Sequence, residues 1–311
     1  MAGEFELIDR LRQQVQSHPN LRLGIGDDAA EVLFGKNKTP VLVTVDMLMD
    51  QVHFDLANTD PRLIGRKALA VNLSDIAAMG GEAIAIVVSY ALPKGAGDHG
   101  TGDQLAEQLH QGIVELAEQH QVAVAGGDTN SWKGPLVISI TALGQPVGPK
   151  AIERSGARVG DLIFVTGELG GSLAGRHLTF TPRLKEAREL VNNYDVHAMI
   201  DLSDGISSDL QHILRESEVG AVLHAEQIPI HSDARRSSGD RSPLEHALHD
   251  GEDFEVLFTV SPEDAVRLTS HPLLTGTRVT QIGEITAGSE PFLIDQGERR
   301  LLTRSGWEHS L

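Results

Sequence analysis

The stretch Ala68-Leu-Ala-Val-Asn72-Leu-Ser74-Asp75-Ile-Ala-Ala-Met-Gly80 sets an amide, a hydroxyl and a carboxylate inside an otherwise apolar run. Upstream, Asp60-Pro61 is an N-cap followed by proline at the first helical position, which predicts a helix from there toward Met79. An ionised carboxylate buried in such a helix is costly unless it is paired. Few basic residues lie nearby in sequence, so a divalent cation is the economical partner for Asp75.

Around this helix, strand-like apolar runs alternate with helical patterns. Strands are predicted at 40–45, 83–91, 122–125 and 136–142, with a second helix over 103–119. Residues 144–160 are rich in Gly, Pro and charge and poor in apolar periodicity, which marks a domain boundary. Beyond it the style repeats. Strands are predicted at 162–166, 197–200 and 254–260. Helices are predicted over 205–216, over 262–270 and after a Thr181-Pro182 cap, with an exposed loop at 232–242. The fold class is α/β (or α+β) in two domains, 1–147 and 148–311.

The 311 residues suffice for two domains with sizeable cores. There is no cysteine, which excludes disulfides, thiolate nucleophiles and cysteine-ligated metals. The first ten residues lack a basic region followed by an apolar run, and no stretch approaches the ~20 apolar residues of a membrane span. A cytoplasmic protein with no membrane partner is expected. The formal charge of −18 repels nucleic acid, so no nucleic-acid partner is expected either. It would also repel a nucleoside triphosphate, unless the acidic groups act through a cation.

Aspartates recur where predicted strands end. Residues 41–45 are followed by Asp46, and 122–127 by Asp128. Residues 198–200 lead into Asp201, followed by Leu202, Ser203 and Asp204. Carboxylates fixed at strand ends can share one cleft. Each taken alone is as well explained by a turn or a helix cap, and Asp204 ahead of 205–216 reads equally as an N-cap. Gly24-Ile-Gly26-Asp27-Asp28 adds two adjacent carboxylates. Hard oxygen donors without His or Cys point to Mg²⁺, and several dispersed aspartates to more than one ion on a polyphosphate. The chemistry that such a site serves is in-line phosphoryl transfer.

Other motifs carry less. Gly95-Ala-Gly97-Asp-His-Gly100 has dinucleotide-fingerprint spacing, but no acidic residue closes a second strand about 20 residues on, so it reads as a surface loop. His246 and His249 have metal-ligand spacing, but a solvated helix end is the commoner explanation. No Gly-x-x-x-x-Gly-Lys-Ser/Thr loop and no Gly-x-Ser-x-Gly elbow occurs.

Taken in order, Gly3-Glu-Phe-Glu-Leu-Ile8, Leu23-Gly-Ile-Gly-Asp-Asp28, Lys67-Ala-Leu-Ala-Val-Asn-Leu-Ser-Asp-Ile-Ala-Ala-Met-Gly80, Gly126-Gly-Asp-Thr129, Arg154-Ser-Gly-Ala-Arg-Val-Gly-Asp161, Asp201-Leu-Ser-Asp-Gly205 and Gly251-Glu-Asp-Phe-Glu255 resemble the thiamine-monophosphate kinase family. The family belongs to the aminoimidazole-ribonucleotide-synthetase-like superfamily. The resemblance implies an N-terminal mixed sheet with helices that dimerises through its sheet, and a C-terminal α+β sandwich that completes the nucleotide and substrate site. It implies a homodimer that passes the γ-phosphoryl of ATP to thiamine monophosphate.

By the same resemblance, Asp28, Thr44, Val45, Asp46, Asp75, Asp128, Asp201 and Asp204 hold several Mg²⁺ ions, with Asp46, Asp128 and Asp204 catalytic. Gly127, Asp128, Arg154 and Ser203 contact ATP, and His53, Glu252 and Trp307 contact thiamine monophosphate. Arg154 offers a planar fork for phosphate oxygens, and Trp307 an aromatic face for a cationic ring. Val45 stands where the family has Thr, Asp250 where it has Gly, and the chain ends Gly306-Trp-Glu-His-Ser-Leu311 rather than Gly-aromatic-Asp-His-Phe. The main rival is a purine-synthesis cyclo-ligase of the same superfamily. A nucleotide-binding module without turnover is the non-enzymatic alternative.

Overall fold

The structure, a computed structural model, describes residues 4–94, 100–237 and 239–305. The first half comprises α1 (Glu4–Gln14), β1 (Leu21–Leu23), β2 (Ala30–Phe34), β3 (Thr39–Met49), α2 (Pro61–Ala78), β4 (Gly81–Pro93), α3 (Gly102–His120), β5 (Ala123–Trp132) and β6 (Val137–Pro146). Its strands form one sheet in the order β1-β2-β3-β6-β4-β5, antiparallel except for β4 beside β5.

The second half comprises β7 (Leu162–Thr166), α4 (Leu184–Asn193), β8 (Val196–Asp201), α5 (Ile206–Ser217), β9 (Gly220–His224), α6 (Ser232–Arg236), α7 (Pro243–His249), β10 (Val256–Val260), α8 (Pro262–Ser270), β11 (Leu273–Leu274), β12 (Thr277–Thr286), β13 (Pro291–Asp295) and β14 (Glu298–Leu301). The main order is β14-β13-β9-β12-β7-β10-β8, with β11 on β12. The result is two mixed sheets with helices.

Helix α2 joins the halves. Asp60 caps it by accepting from the Arg62 N–H at 2.9 Å, and Pro61 opens it. One side packs on α3, β3, β4 and β6, and the other reaches α4 and β8. It is therefore buried almost all round, which explains a helix apolar on every face. The alternation in β6 follows from the same packing: Ile138, Ile140 and Ala142 are buried and the residues between them are not. On the opposite face Val45, Thr141 and Val87 form a row across β3, β6 and β4, with Val45 61% exposed and Val87 40% exposed.

Four sequence expectations change. Strand β3 runs on through Asp46, and β5 runs on through Asp128, because both continue to pair with their neighbours. Only Asp201 closes its strand. Part of the loop predicted at 232–242 is the short helix α6, and Ser242 with Glu245 forms a capping box for α7. Helix α4 starts after Arg183 rather than from Thr181-Pro182.

Candidate active site

A cavity of about 300 Å³ opens where the two halves meet, bounded by β3, α2 and the loops after β8 and α7. Asp46, Asp75, Asp201, Ser203 and Asp204 line one part of it, and His53, Lys67, Leu173 and Glu252 another.

The carboxylate-rich part is built from three directions. Asp75 comes from α2, Asp201 from the end of β8, and Asp28 from the loop before β2. Their carboxylate oxygens lie within 4.8 Å of one another. Asp75 accepts from the Thr44 hydroxyl at 2.5 Å, and Asp201 from the Ser74 hydroxyl at 2.6 Å. Asp46 joins through its backbone N–H, which donates to Asn72 Oδ1 at 3.3 Å. The three polar residues that stood out in α2 thus all point into this one site.

The electrostatics are unfavourable without a cation. Burial, then Asp28, pushes Asp201 up to about 8, against the Ser74 hydrogen bond. Burial, then Asp46 and Asp201, pushes Asp75 well above the carboxylate range. Burial, then Asp28 and Glu252, raises Asp46 to about 6. Asp75 and Asp201 accept from hydroxyls, and the clustered carboxylates repel one another. An all-oxygen donor set of this spacing fits Mg²⁺ and supplies the negative charge that such an ion requires.

Asp28 has a second partner that sequence proximity conceals. Arg154 donates to it through Nη2 at 2.6 Å and Nε at 3.3 Å, and its backbone N–H donates to Asp27 at 3.0 Å. Burial opposes the guanidinium's charge, and Asp28 and Asp27 more than offset it, so its pKa rises. This basic partner is not visible among residues nearby in sequence, because the arginine lies 126 positions from Asp28.

Asp204 is not a helix cap. Gly205 occupies the cap, and Asp209 from the first turn of α5 accepts from the backbone N–H of Asp204 at 3.1 Å and of Gly205 at 3.0 Å. Buried Asp209 thus shapes the loop that carries Ser203 and Asp204, a role that sequence reasoning missed.

The wall opposite is the 251–255 segment. Gly251 has φ +70, and a Cβ there would meet the Ser203 carbonyl at 2.6 Å. Glu252 and Phe254 also have positive φ, held by Glu252 N–H on the Ser203 carbonyl at 2.7 Å and Phe254 N–H on the Leu202 carbonyl at 2.8 Å. Asp250 is right-handed helical, so the missing glycine at that position costs the turn nothing. The three carboxylates of the segment divide their work. Asp253 accepts from Gly170 N–H and Arg176, and Glu255 from Arg183 and Thr166, all structural. Glu252 faces the cavity. His53 Nδ1 accepts from Met49 N–H at 3.0 Å, which leaves its proton on Nε2.

Three assigned positions stand apart. Asp46, Ile140, Val88 and Gly127 lie in one cross-strand row, so Gly127 is three strand spacings, roughly 14 Å, from Asp46. Asp128 falls in the next row with Met47, Ser139 and Ser89, on the face away from α2, and is exposed. The chain by itself does not bring Asp128 to the cluster. Gly127 has a structural reason of its own, since a Cβ there would meet the Val88 carbonyl at 1.7 Å. The Val45 side chain points to the same outer face. Trp307 and residues 95–99 of the glycine-rich motif lie outside the described residues. His246 and His249 do not converge: one bonds Asp250, the other Ser207.

Comparison with known proteins agrees with this architecture. Residues 26–145 match the AIR synthase related protein, N-terminal domain, and residues 164–296 the AIR synthase related protein, C-terminal domain. A thiamine-monophosphate kinase of Rhodopirellula baltica is 42% identical over 290 residues, covering 91% of this chain and 89% of that protein. A solved structure of AaThiL complexed with AMPPCP and TMP is similar with a TM-score of 0.83 at 28% identity, over 99% of this chain and 97% of the other. The crystal structure of thiamine-monophosphate kinase from Stenotrophomonas maltophilia K279a has a TM-score of 0.73 at 35% identity, over 95% and 97%. With an identity of this size over nearly its whole length, the chain belongs to the thiamine-monophosphate kinase family.

Proposed function

We propose that this chain transfers the γ-phosphoryl group of ATP to the phosphate of thiamine monophosphate, giving ADP and thiamine diphosphate. The observation that carries the reading is the division of one cavity into a carboxylate cluster and a separate wall bearing His53 and Glu252. A similar protein holding AMPPCP and TMP together supports it.

In this reading Asp28, Asp46, Asp75, Asp201 and Asp204 would hold Mg²⁺, with Thr44 and the Val45 carbonyl beside them. Bound there, Mg²⁺ would supply charge neutralisation for the transferred phosphoryl group. The chain's own residues do the rest. The Arg154 guanidinium, the Ser203 loop and the Gly126-Gly127 backbone orient ATP. His53 Nε2–H donates to the acceptor, and Glu252 accepts from its aminopyrimidine. The family resemblance assigns Trp307 to the same acceptor. The acceptor phosphate is already an anion, so no general base is required and catalysis is positioning plus charge neutralisation.

Asp128 enters from a second copy. It sits on the uncovered sheet face with the exposed apolar row of Val45 and Val87. We assign that face to a homodimer in which Asp128 and Gly127 of one protomer complete the nucleotide site of the other. The 1–147 domain then carries metal binding and dimerisation, and 148–311 completes the site. No described helix is long and apolar enough to cross a membrane, and a cytoplasmic setting supplies ATP. Incubating the protein with MgATP and thiamine monophosphate is expected to give ADP and thiamine diphosphate in equal amounts. ADP and inorganic phosphate alone would sink the reading.

A further inference from the structure

Lys67 is among the largest fully buried side chains of the protein, in the middle of α2. A lysine in that position is costly unless its charge is matched. Its ammonium donates to the His53 carbonyl at 2.6 Å and forms an ion pair with Glu252 Oε2. The two partners come from opposite halves of the chain, 185 positions apart in the case of Glu252.

The pair is asymmetric. The lysine side chain is 1% exposed and that of Glu252 22% exposed. The ammonium is therefore the more deeply buried partner at the cavity edge, and the carboxylate is the more open one. One carboxylate oxygen takes the lysine. The other, Oε1, accepts no hydrogen bond among the described residues and remains for a ligand N–H. The backbone of Glu252 has φ 56, so the residue holds an uncommon conformation at the position where its side chain is gripped. The His53 carbonyl, held by the same ammonium, belongs to a residue that lines the cavity.

We propose that Lys67 is the positioning residue of the acceptor site. It grips one carboxylate oxygen of Glu252, leaving the other turned to the cavity, and it fixes the His53 backbone. The two groups that recognise an acceptor bearing an aminopyrimidine are thereby set as one unit across the junction. This rests on the reading that His53 and Glu252 face thiamine monophosphate. Lys67 acts through Glu252 and His53, so its effect falls on acceptor binding and not on ATP.

The test is steady-state kinetics of wild type and Lys67→Met with both substrates varied. The expected result is a KM for thiamine monophosphate raised roughly 10- to 100-fold and a KM for MgATP unchanged within about twofold. An unchanged acceptor KM, or equal rises in both, overturns the proposal. If circular dichroism shows that Lys67→Met fails to fold, Lys67→Arg takes its place. It keeps the charge but moves it, and the same selective rise in the acceptor KM is expected; a wild-type acceptor KM overturns the proposal. A wild type that makes no thiamine diphosphate refutes the function itself. A working wild type with an unaffected variant refutes only the role of Lys67.

Discussion

Asp46→Asn should make the metal-free protein more stable while stopping its chemistry. Asp46 is raised from 3.8 to about 6 by burial and by the charges of Asp28 and Glu252. A shift of about two units disfavours the ionised form by about 3 kcal/mol, at ~1.4 kcal/mol per unit. The sign follows from proton linkage. The folded protein binds this proton more tightly than the unfolded chain, so stability is lost as pH rises from the unfolded value through the folded one. About 1.5 kcal/mol of the cost is present at pH 5, and about 3 kcal/mol by pH 7.5. Asparagine carries no charge and escapes that cost. In EDTA, the apparent melting temperature of the variant should exceed that of wild type by about 6 °C at pH 7.5, and by roughly half that at pH 5, taking about 2 °C per kcal/mol. Turnover with both substrates should fall at least ~100-fold, as when one charge-stabilising group is removed from a reacting site. A variant that melts no higher than wild type at pH 7.5, or keeps near-normal turnover, refutes the reasoning.

Three further expectations separate the parts of the site. Arg154→Met strands Asp27 and Asp28 without their cation and should cost ~3–5 kcal/mol of stability in urea unfolding. Arg154→Lys should recover only part of it, because the contact is bidentate; full recovery would argue against the fork geometry. Asp128→Asn should leave the melting temperature within about 1 °C, since Asp128 is exposed and among the described residues bonds only Thr129 and Asn130, while lowering turnover sharply. Unchanged turnover would remove Asp128 from the nucleotide site. Val45→Lys with Val87→Lys, on the uncovered sheet face, should convert a dimer to a monomer in light scattering, and a persistent dimer would place the interface elsewhere.

The fold and the site were legible to different degrees, for local and long-range reasons respectively. Asp60-Pro61 and the apolar run to Met79 specify α2 by short-range signals, and the structure keeps that helix. Asp75 is legible because a carboxylate inside such a helix has to be matched. The strand-end rule succeeds for Asp201 and fails for Asp46 and Asp128. A strand ends where its partners end, and β6 and β4 extend past those two residues. The Arg154–Asp28 pair and the Asp209 hold on the Ser203 loop depend on chain returns that periodicity does not encode. Lys67 did carry a local signal, a lysine within an apolar helix, but a search for oxygen ligands passes over it.

The central claim is that the carboxylate cluster serves phosphoryl transfer from ATP to thiamine monophosphate. The most direct measurement follows the label from γ-labelled ATP in a single turnover, with Mg²⁺ present and again in excess EDTA. The account predicts label in the terminal phosphate of thiamine diphosphate with Mg²⁺, and none transferred without it. Label released as inorganic phosphate, or transfer that survives removal of divalent cations, would contradict it.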